Sequence, residues 1–209
     1  MKNKYLLICG IIASLLYIAT DIFLASQFKG YSYIDQTISE LSAIGASTRP
    51  LWIAMTFLFN PLLIAFGMGI WRKALQRRSL RITGVLISIW GVTGFVWLLF
   101  PMNMRGAIGS TTDTMHLVMA AITVSLMMLF IGIGSGAKGN RFRFYSIITI
   151  LAMLVFGAWT GTQASRVAAQ LPTPGLGLIE RVSVYSPMLW IFVLAIIFLR
   201  PEKSIIKQN

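Results

Sequence analysis

Apolar residues along this chain fall into runs that are long enough to cross a lipid bilayer. A helix needs about 20 mainly apolar residues to cross the hydrocarbon core. Six runs meet this requirement, and they cover residues 5–28, 51–71, 82–100, 114–135, 144–164 and 182–199. The segments between them are short or carry glycine, proline or basic residues, which favour turns and span ends. The pattern predicts an all-α fold in which six transmembrane helices form a single domain over residues 1–209.

Composition agrees with lipid as the solvent of this chain. Hydrophobic residues make up 56% of the sequence and charged residues 11%, whereas soluble domains carry about 25% charged residues. The apolar run at 5–28 exceeds the hydrophobic region of a signal peptide, which is about 7–15 residues long. We therefore expect a retained first helix. The lone Cys9 excludes an intramolecular disulfide and a cysteine-rich metal site.

Basic residues are distributed unevenly between the two sides of the predicted bundle. One side carries thirteen: Lys2, Lys4, Arg72, Lys73, Arg77, Arg78, Arg81, Lys138, Arg141, Arg143, Arg200, Lys203 and Lys207. The other side carries Lys29, Arg49, Arg105, Arg166 and Arg181, together with every acid except Glu202. Since Lys and Arg near span ends stay cytoplasmic, both termini are predicted to be cytoplasmic, in a multi-pass protein of the cell membrane. The basic face is expected to contact anionic lipid headgroups.

The same charge pattern argues against a nucleic-acid partner. The basic residues adjoin span ends, and no nucleic-acid-binding motif accompanies them.

Small and aromatic residues indicate how the predicted helices pack. Glycines at 84, 91 and 94 and the pair Gly157 and Gly161 would let neighbouring helices approach closely. The Asn60-Pro61 pair predicts a bend in the second span. Four tryptophans near span ends are expected to anchor the bundle at the headgroup level: Trp52, Trp71, Trp97 and Trp190.

Most of the unusual polar residues lie in the three outer connections. Because spans two and three, and spans four and five, are joined on the inner side, the outer segments can converge on one rim. The residues expected to meet there are Glu40, Arg105, Asp113, His116, Glu180 and Arg181. Asp21, near the outer end of the first span, has Arg181 or Arg105 as its expected partner. These residues and Ser39 form the candidate polar site.

Several of these residues also have a purely structural interpretation. Thr37 and Glu40 have the spacing of a capping box, and Asp113 follows Ser110 in the same way. A guanidinium near a helix N-terminus opposes the helix dipole, so Arg181 is expected to have a carboxylate or phosphate partner.

His116 is the single histidine, about one turn into the fourth span. Two interpretations stay open for it. An ionisable group at that depth is a functional candidate by default. The alternative is a neutral ring bonded to Asp113 or to a loop carbonyl.

No catalytic or metal-binding motif accompanies these residues. A Ser39–His116–Asp113 relay can be written, but an acid three residues before the histidine on one helix does not reliably lie behind its ring. One histidine with scattered carboxylates does not resemble the usual zinc sites, and no nucleophile elbow surrounds Ser39. We expect no cofactor and no metal, and enzymatic activity stays open.

A run in the first outer connection resembles the signature of a known family. The run is Tyr31-Ser-Tyr-Ile-Asp-Gln-Thr-Ile-Ser-Glu-Leu-Ser-Ala-Ile-Gly45, followed by Pro50. With Phe100-Pro-Met, His116 and Gly-Leu-Ile-Glu-Arg181, it is similar to the prokaryotic membrane proteins of the domain-of-unknown-function 998 family. That resemblance covers roughly residues 5–199 and implies a six-helix bundle without an established activity. A looser similarity to the Frag1/DRAM/Sfk1 membrane proteins rests on a few residues and implies no function for this chain.

Three functions are compatible with this sequence. The first is a site for a lipid or another amphiphile at the outer rim, and if the protein is an enzyme it acts on a lipid headgroup there. The second is a small-molecule transporter, although coupled transport usually needs charges in mid-membrane, which are scarce here. The third is a structural or regulatory partner of another membrane protein. The first is favoured, because acid, base and imidazole at a lipid–water boundary suit a headgroup.

Overall fold

The computed structural model describes residues 2–106 and 110–200, and they fold into a bundle of helices. The helices are α1 (Lys2–Gln27), α2 (Arg49–Lys73), α3 (Arg78–Val96), α4 (Thr111–Gly134), α5 (Gly139–Thr162), the short α6 (Ala164–Ala168) and α7 (Leu176–Leu199). Short 3-10 helices lie at Ile38–Ser42, Trp97–Leu99 and Ser135–Lys138. The described residues contain no β-strand, so the predicted all-α class is confirmed.

The outside of this bundle is apolar. Large hydrophobic side chains such as Phe57, Leu58, Phe144 and Leu151 are about half exposed. Five helical stretches are long and apolar enough to cross a membrane. An apolar exterior of this extent requires lipid as its surroundings.

The longest of these stretches, Thr111–Thr162, contains both α4 and α5. Gly134 at the end of α4 and Phe142 and Ser146 at the start of α5 all contact Trp190 of α7. Since both helix ends meet one residue, the chain reverses between them. Gly139, whose φ is +78°, provides the turn.

Glycines allow α2 and α3 to pack with their backbones in contact. A Cβ on Gly84 would lie 2.6 Å from the Gly67 carbonyl oxygen and 2.7 Å from the Trp71 nitrogen. Gly91 and Gly94 approach α2 in the same way, at Asn60 and Ile64. In α5, Gly157 faces Ser183, whereas a side chain on Gly161 would enter open space.

Trp190 lies inside the helix bundle. Its ring is fully buried, packs against Phe130 and Phe142, and donates from Nε1 to Ser146 Oγ at 2.8 Å. The prediction of an interfacial anchor is therefore wrong for Trp190, because hydropathy does not distinguish the core face of a helix from its lipid face. Trp71, by contrast, is 50% exposed.

The two ends of the bundle differ in character. At the basic end, which comprises residues 74–77 and 135–138 and the adjoining helix ends, Arg77 donates to the carbonyls of Gly136 and Ala137. At the opposite end, the loop end, the connections 28–48, 97–106 and 163–175 lie together, and Ile44 donates its backbone N–H to Met102 at 2.8 Å. Of the predicted inner charges, Glu202, Lys203 and Lys207 lie outside the described residues.

Candidate functional site

Arg181 holds the first connection against α7. Gly177 lies directly under that connection, since a Cβ there would be 2.3 Å from the Gln36 carbonyl oxygen and 2.5 Å from that of Tyr33. One turn further along α7, Arg181 donates to the same two carbonyls, at 3.2 and 2.7 Å. Its guanidinium also lies 3.5 Å from the centre of the Tyr33 ring. The Gly-Leu-Ile-Glu-Arg motif is thus explained by loop docking: the glycine permits the approach and the arginine fixes it.

Asp21 is the carboxylate partner of Arg181. The guanidinium donates Nε to Asp21 Oδ2 at 2.8 Å and Nη2 to Oδ1 at 3.0 Å, which is a bidentate pair. Both side chains are almost completely buried. Tyr185 also donates to Asp21 and lies 3.0 Å from the hydroxyl of Tyr33. Of the two partners considered for Asp21, the structure therefore has Arg181.

Glu40 and Arg105 form a second ion pair, between the first and second connections. Glu40 is fully buried in the 3-10 helix Ile38–Ser42 and accepts from the backbone N–H of Thr37 at 2.8 Å, as in a capping box. Arg105 donates to both carboxylate oxygens of Glu40. Burial by itself raises the pKa of Glu40, but hydrogen bonds from Arg105, Gln36 and Thr37 bring the pKa below its ordinary value.

Asp35 connects the same loop to the start of α7. Its carboxylate accepts from the backbone N–H of Gly175 at 2.9 Å and from the hydroxyl of Ser32 at 2.8 Å. These hydrogen bonds lower the pKa of the Asp35 carboxyl. Its carbonyl oxygen accepts from Arg105 and Thr173. Sequence reasoning missed Asp35 as part of the site, although its place in the same motif is a signal that could have found it.

Asp113 and His116 have different partners although they share a helix face. Asp113 accepts from the backbone N–H of Asn103 at 2.8 Å and from its side-chain amide at 3.0 Å. His116 Nδ1 lies 2.9 Å from the carbonyl oxygen of Phe100. Because a carbonyl only accepts, Nδ1 carries the proton, and in a neutral ring Nε2 is then an acceptor. The Ser39–His116–Asp113 relay is not assembled, since Ser39 Oγ faces Glu180 at 3.4 Å.

A cavity of about 250 Å³ lies in the loop-end half of the bundle. Aromatic side chains form much of its wall: Tyr17, Trp52, Phe59, Trp90, Trp97 and Phe100. Of the candidate site residues, Ser39, His116 and Glu180 line it. Glu180 also accepts from the backbone N–H of Ile38, so the first connection covers part of the cavity. Asp21, Glu40, Arg105, Asp113 and Arg181 are engaged in the bonds described above and do not line it.

Asn60 is a polar cavity residue that sequence reasoning treated only as part of a helix bend. It is 2% exposed, and its Nδ2 has no hydrogen-bond partner among the described residues. Its amide packs against Gly94, which also lines the cavity. An asparagine in mid-span next to a glycine-striped helix was the available signal.

The site consists of two ion pairs and a lined cavity. Among the described residues, no group of three His, Cys, Asp or Glu side chains lies close enough to hold a metal ion. The cavity combines apolar walls with a few polar groups, which is the usual composition of a ligand pocket.

Apolar helices around a polar, ion-paired loop end define a helical membrane protein. Comparison with protein families places the chain more narrowly: it belongs to the DUF998 family, described as a protein of unknown function, whose profile matches residues 11–197. The resemblance expected from the first-connection motif is confirmed. Neither the comparison with curated proteins nor the comparison with solved structures found a match, so the looser similarity to Frag1/DRAM/Sfk1 proteins gains no support.

Proposed function

We propose that this protein binds a lipid or a similar amphiphile in the loop-end cavity. The observation that carries the proposal is the cavity itself, which has aromatic walls and the polar groups of Ser39, His116 and Glu180 on its lining. An apolar chain would lie among the rings, and oxygen atoms of the ligand would meet polar side chains of the lining.

The ion pairs around the cavity support this function indirectly. Arg181 with Asp21, and Arg105 with Glu40, hold the first connection against the helices. The 3-10 helix Ile38–Ser42, which contributes Ile38, Ser39 and Ser42 to the lining, is thereby kept in place. Preformed walls reduce the ordering cost of binding.

The proposal includes an orientation in the membrane. The loop end faces the extracytoplasmic side of the cell membrane, and both termini are cytoplasmic, because the basic end collects most Lys and Arg residues. The cavity then receives its ligand from the outer leaflet or the outer interface. The basic end contacts anionic headgroups of the inner leaflet.

Two adjacent alanines of α4 provide a matched test. Ala120 lines the cavity, whereas Ala121 is exposed on the lipid side of the same helix. Ala120→Phe fills the cavity and Ala121→Phe does not. Lipids that remain with each purified protein are extracted and quantified by mass spectrometry per mole of protein, after a thermal unfolding curve has shown that each variant is folded.

We expect wild type and Ala121→Phe to retain a defined lipid. Ala120→Phe should retain about tenfold less, because its ring occupies space that the ligand needs and a ligand forced in beside it would overpack the cavity. Equal lipid content in all three folded proteins would refute the proposal.

A further inference from the structure

The buried amide of Asn60 gives the cavity a specific chemical requirement. An unsatisfied buried donor costs free energy that a hydrogen bond would recover. Asn60 Nδ2 is buried and has no hydrogen-bond partner among the described residues. Asn60 also lines the cavity. A ligand that places an acceptor oxygen there would satisfy it.

The position of Asn60 puts this oxygen deep inside the protein. The cavity lining on α7 runs from Glu180 to Met188, which is about 12 Å at 1.5 Å per residue. Asn60 lies in the middle of α2, opposite Gly94, well away from Arg49 at the first turn of that helix. The acceptor therefore belongs to a part of the ligand that enters the bilayer core.

The size of the cavity limits the ligand to one chain. A cavity of about 150 Å³ in another protein holds one benzene ring, and typical drug-sized pockets cover about 300–1,000 Å³. At about 250 Å³, this cavity has room for one narrow chain or ring and no room for a second chain beside it.

The charges on the lining favour an uncharged ligand. Arg49 is the one Lys or Arg among the described residues that line the cavity, and its guanidinium donates to the Ser42 carbonyl at 2.8 Å. The carboxylic acid of Glu180 lies on the same lining. Arg49 lies at the first turn of α2, so an anionic group placed beside Asn60 would meet no Lys or Arg side chain of the lining there.

We infer that the cavity selects an uncharged, single-chain lipid whose carbonyl or hydroxyl oxygen accepts a hydrogen bond from Asn60. This inference rests on the proposed function and adds the class of ligand to it. Asn60 is the residue that determines specificity, and the aromatic rings hold the chain.

The tryptophans of the protein can report which lipid enters, because bromine quenches indole fluorescence on contact. Trp52, Trp90 and Trp97 line the cavity, whereas Trp71 and Trp159 are about half exposed on the outside. Replacing Trp71 and Trp159 by Phe leaves the cavity tryptophans and the buried Trp190. Four brominated probes are then titrated into the detergent-solubilised protein: a dibrominated monoacylglycerol, the matching fatty acid, a dibrominated alkane and a dibrominated phosphatidylcholine.

Three variants of the protein without Trp71 and Trp159 separate the hydrogen bond of Asn60 from other effects of changing a cavity residue. Asn60→Leu removes the donor at similar size, and Asn60→Ala removes it without any new contact at Gly94. Thr56→Val is the matched control: Thr56 also lines the cavity, but its hydroxyl already donates to the Trp52 carbonyl at 3.0 Å.

We expect the monoacylglycerol to quench at about tenfold lower concentration than the alkane in the parent protein and in Thr56→Val, as one recovered hydrogen bond allows. Both Asn60 variants should lose that difference. The fatty acid and the phosphatidylcholine should quench more weakly than the monoacylglycerol.

The outcomes separate the inference from the function on which it rests. If single-chain probes quench but Asn60→Leu and Asn60→Ala keep the full preference for the monoacylglycerol, the assignment of Asn60 is wrong while lipid binding stands. If the fatty acid or the two-chain phosphatidylcholine quenches at the lowest concentration, the ligand is not an uncharged, single-chain lipid and the inference is refuted. Ala120→Phe is also added to this background. If it leaves the quenching by all four probes unchanged, the cavity binds none of them and the proposed function fails as well.

Discussion

At the scale of single residues, one arginine organises the loop end. Arg181 is 3% exposed and donates to Asp21, Tyr31, Tyr33, Gln36 and Gly177. Its charge is thus compensated by a carboxylate, and its other N–H groups bind carbonyl and hydroxyl oxygens. A buried charge is tolerated only when it is paired and hydrogen-bonded in this way. Removing either partner leaves the other charge buried without compensation.

We expect Arg181→Gln and Asp21→Asn each to lower the free energy of unfolding by about 3 kcal/mol or more, as breaking a buried ion pair does. The double variant should lose much less than the sum of the two. Arg166→Gln is the control: Arg166 is exposed, and among the described residues its side chain donates only to the Pro172 carbonyl, so a change within about 0.5 kcal/mol is expected. Unfolding in detergent micelles, followed by circular dichroism, measures all four. Additive losses would contradict the pairing.

At the scale of helices, hydropathy predicted where the spans lie but cut their polar ends short. The third span was predicted over 82–100, whereas α3 begins at Arg78 and ends at Val96. The fifth was predicted from residue 144, and α5 begins at Gly139. Basic residues lower the hydropathy of a window, yet Lys and Arg are good helix formers and continue the helix into the headgroup region.

The site was less predictable than the spans. Topology brought the polar connections to one end, and the motif Gly177–Arg181 pointed to a partner for Arg181. The pairing of Glu40 with Arg105 depends on the path of two irregular loops, which hydropathy does not encode. The direction of Asn60 into the cavity depends on the rotation of α2 against α3, and that is set by contacts at Gly91 and Gly94.

The glycines between α2 and α3 make this packing testable. A Cβ on Gly84 would meet the backbone of Gly67 and Trp71, so Gly84→Ala forces the two helices apart. We expect a loss of about 1–3 kcal/mol in the free energy of unfolding. Gly161→Ala is the matched control in α5, where the added methyl enters open space. It should leave stability unchanged or raise it by up to about 1 kcal/mol, because alanine favours helix. Equal effects of the two variants would contradict the close approach of α2 and α3.

At the scale of the whole molecule, the charges are separated between the two ends. The loop end has five basic residues and five acidic residues, so its formal charge is close to zero. Two of its arginines are paired with acids. The basic end has an excess of Lys and Arg, and Arg77 there joins the α2–α3 connection to the α4–α5 connection. This asymmetry is the physical basis of the proposed orientation, in which the basic end is cytoplasmic, since translocating several cations across the membrane is unfavourable.

Single cysteines test this orientation directly. Cys9→Ala removes the one native cysteine. Ser47→Cys then places a thiol at an exposed position of the loop end, and Asn140→Cys places one at an exposed position of the basic end. In intact cells, a membrane-impermeant maleimide should label Ser47→Cys and leave Asn140→Cys unmodified. After permeabilisation it should label both, which controls for reactivity. Labelling of Asn140→Cys alone in intact cells would place the basic end outside and the cavity in the cytoplasmic half of the membrane.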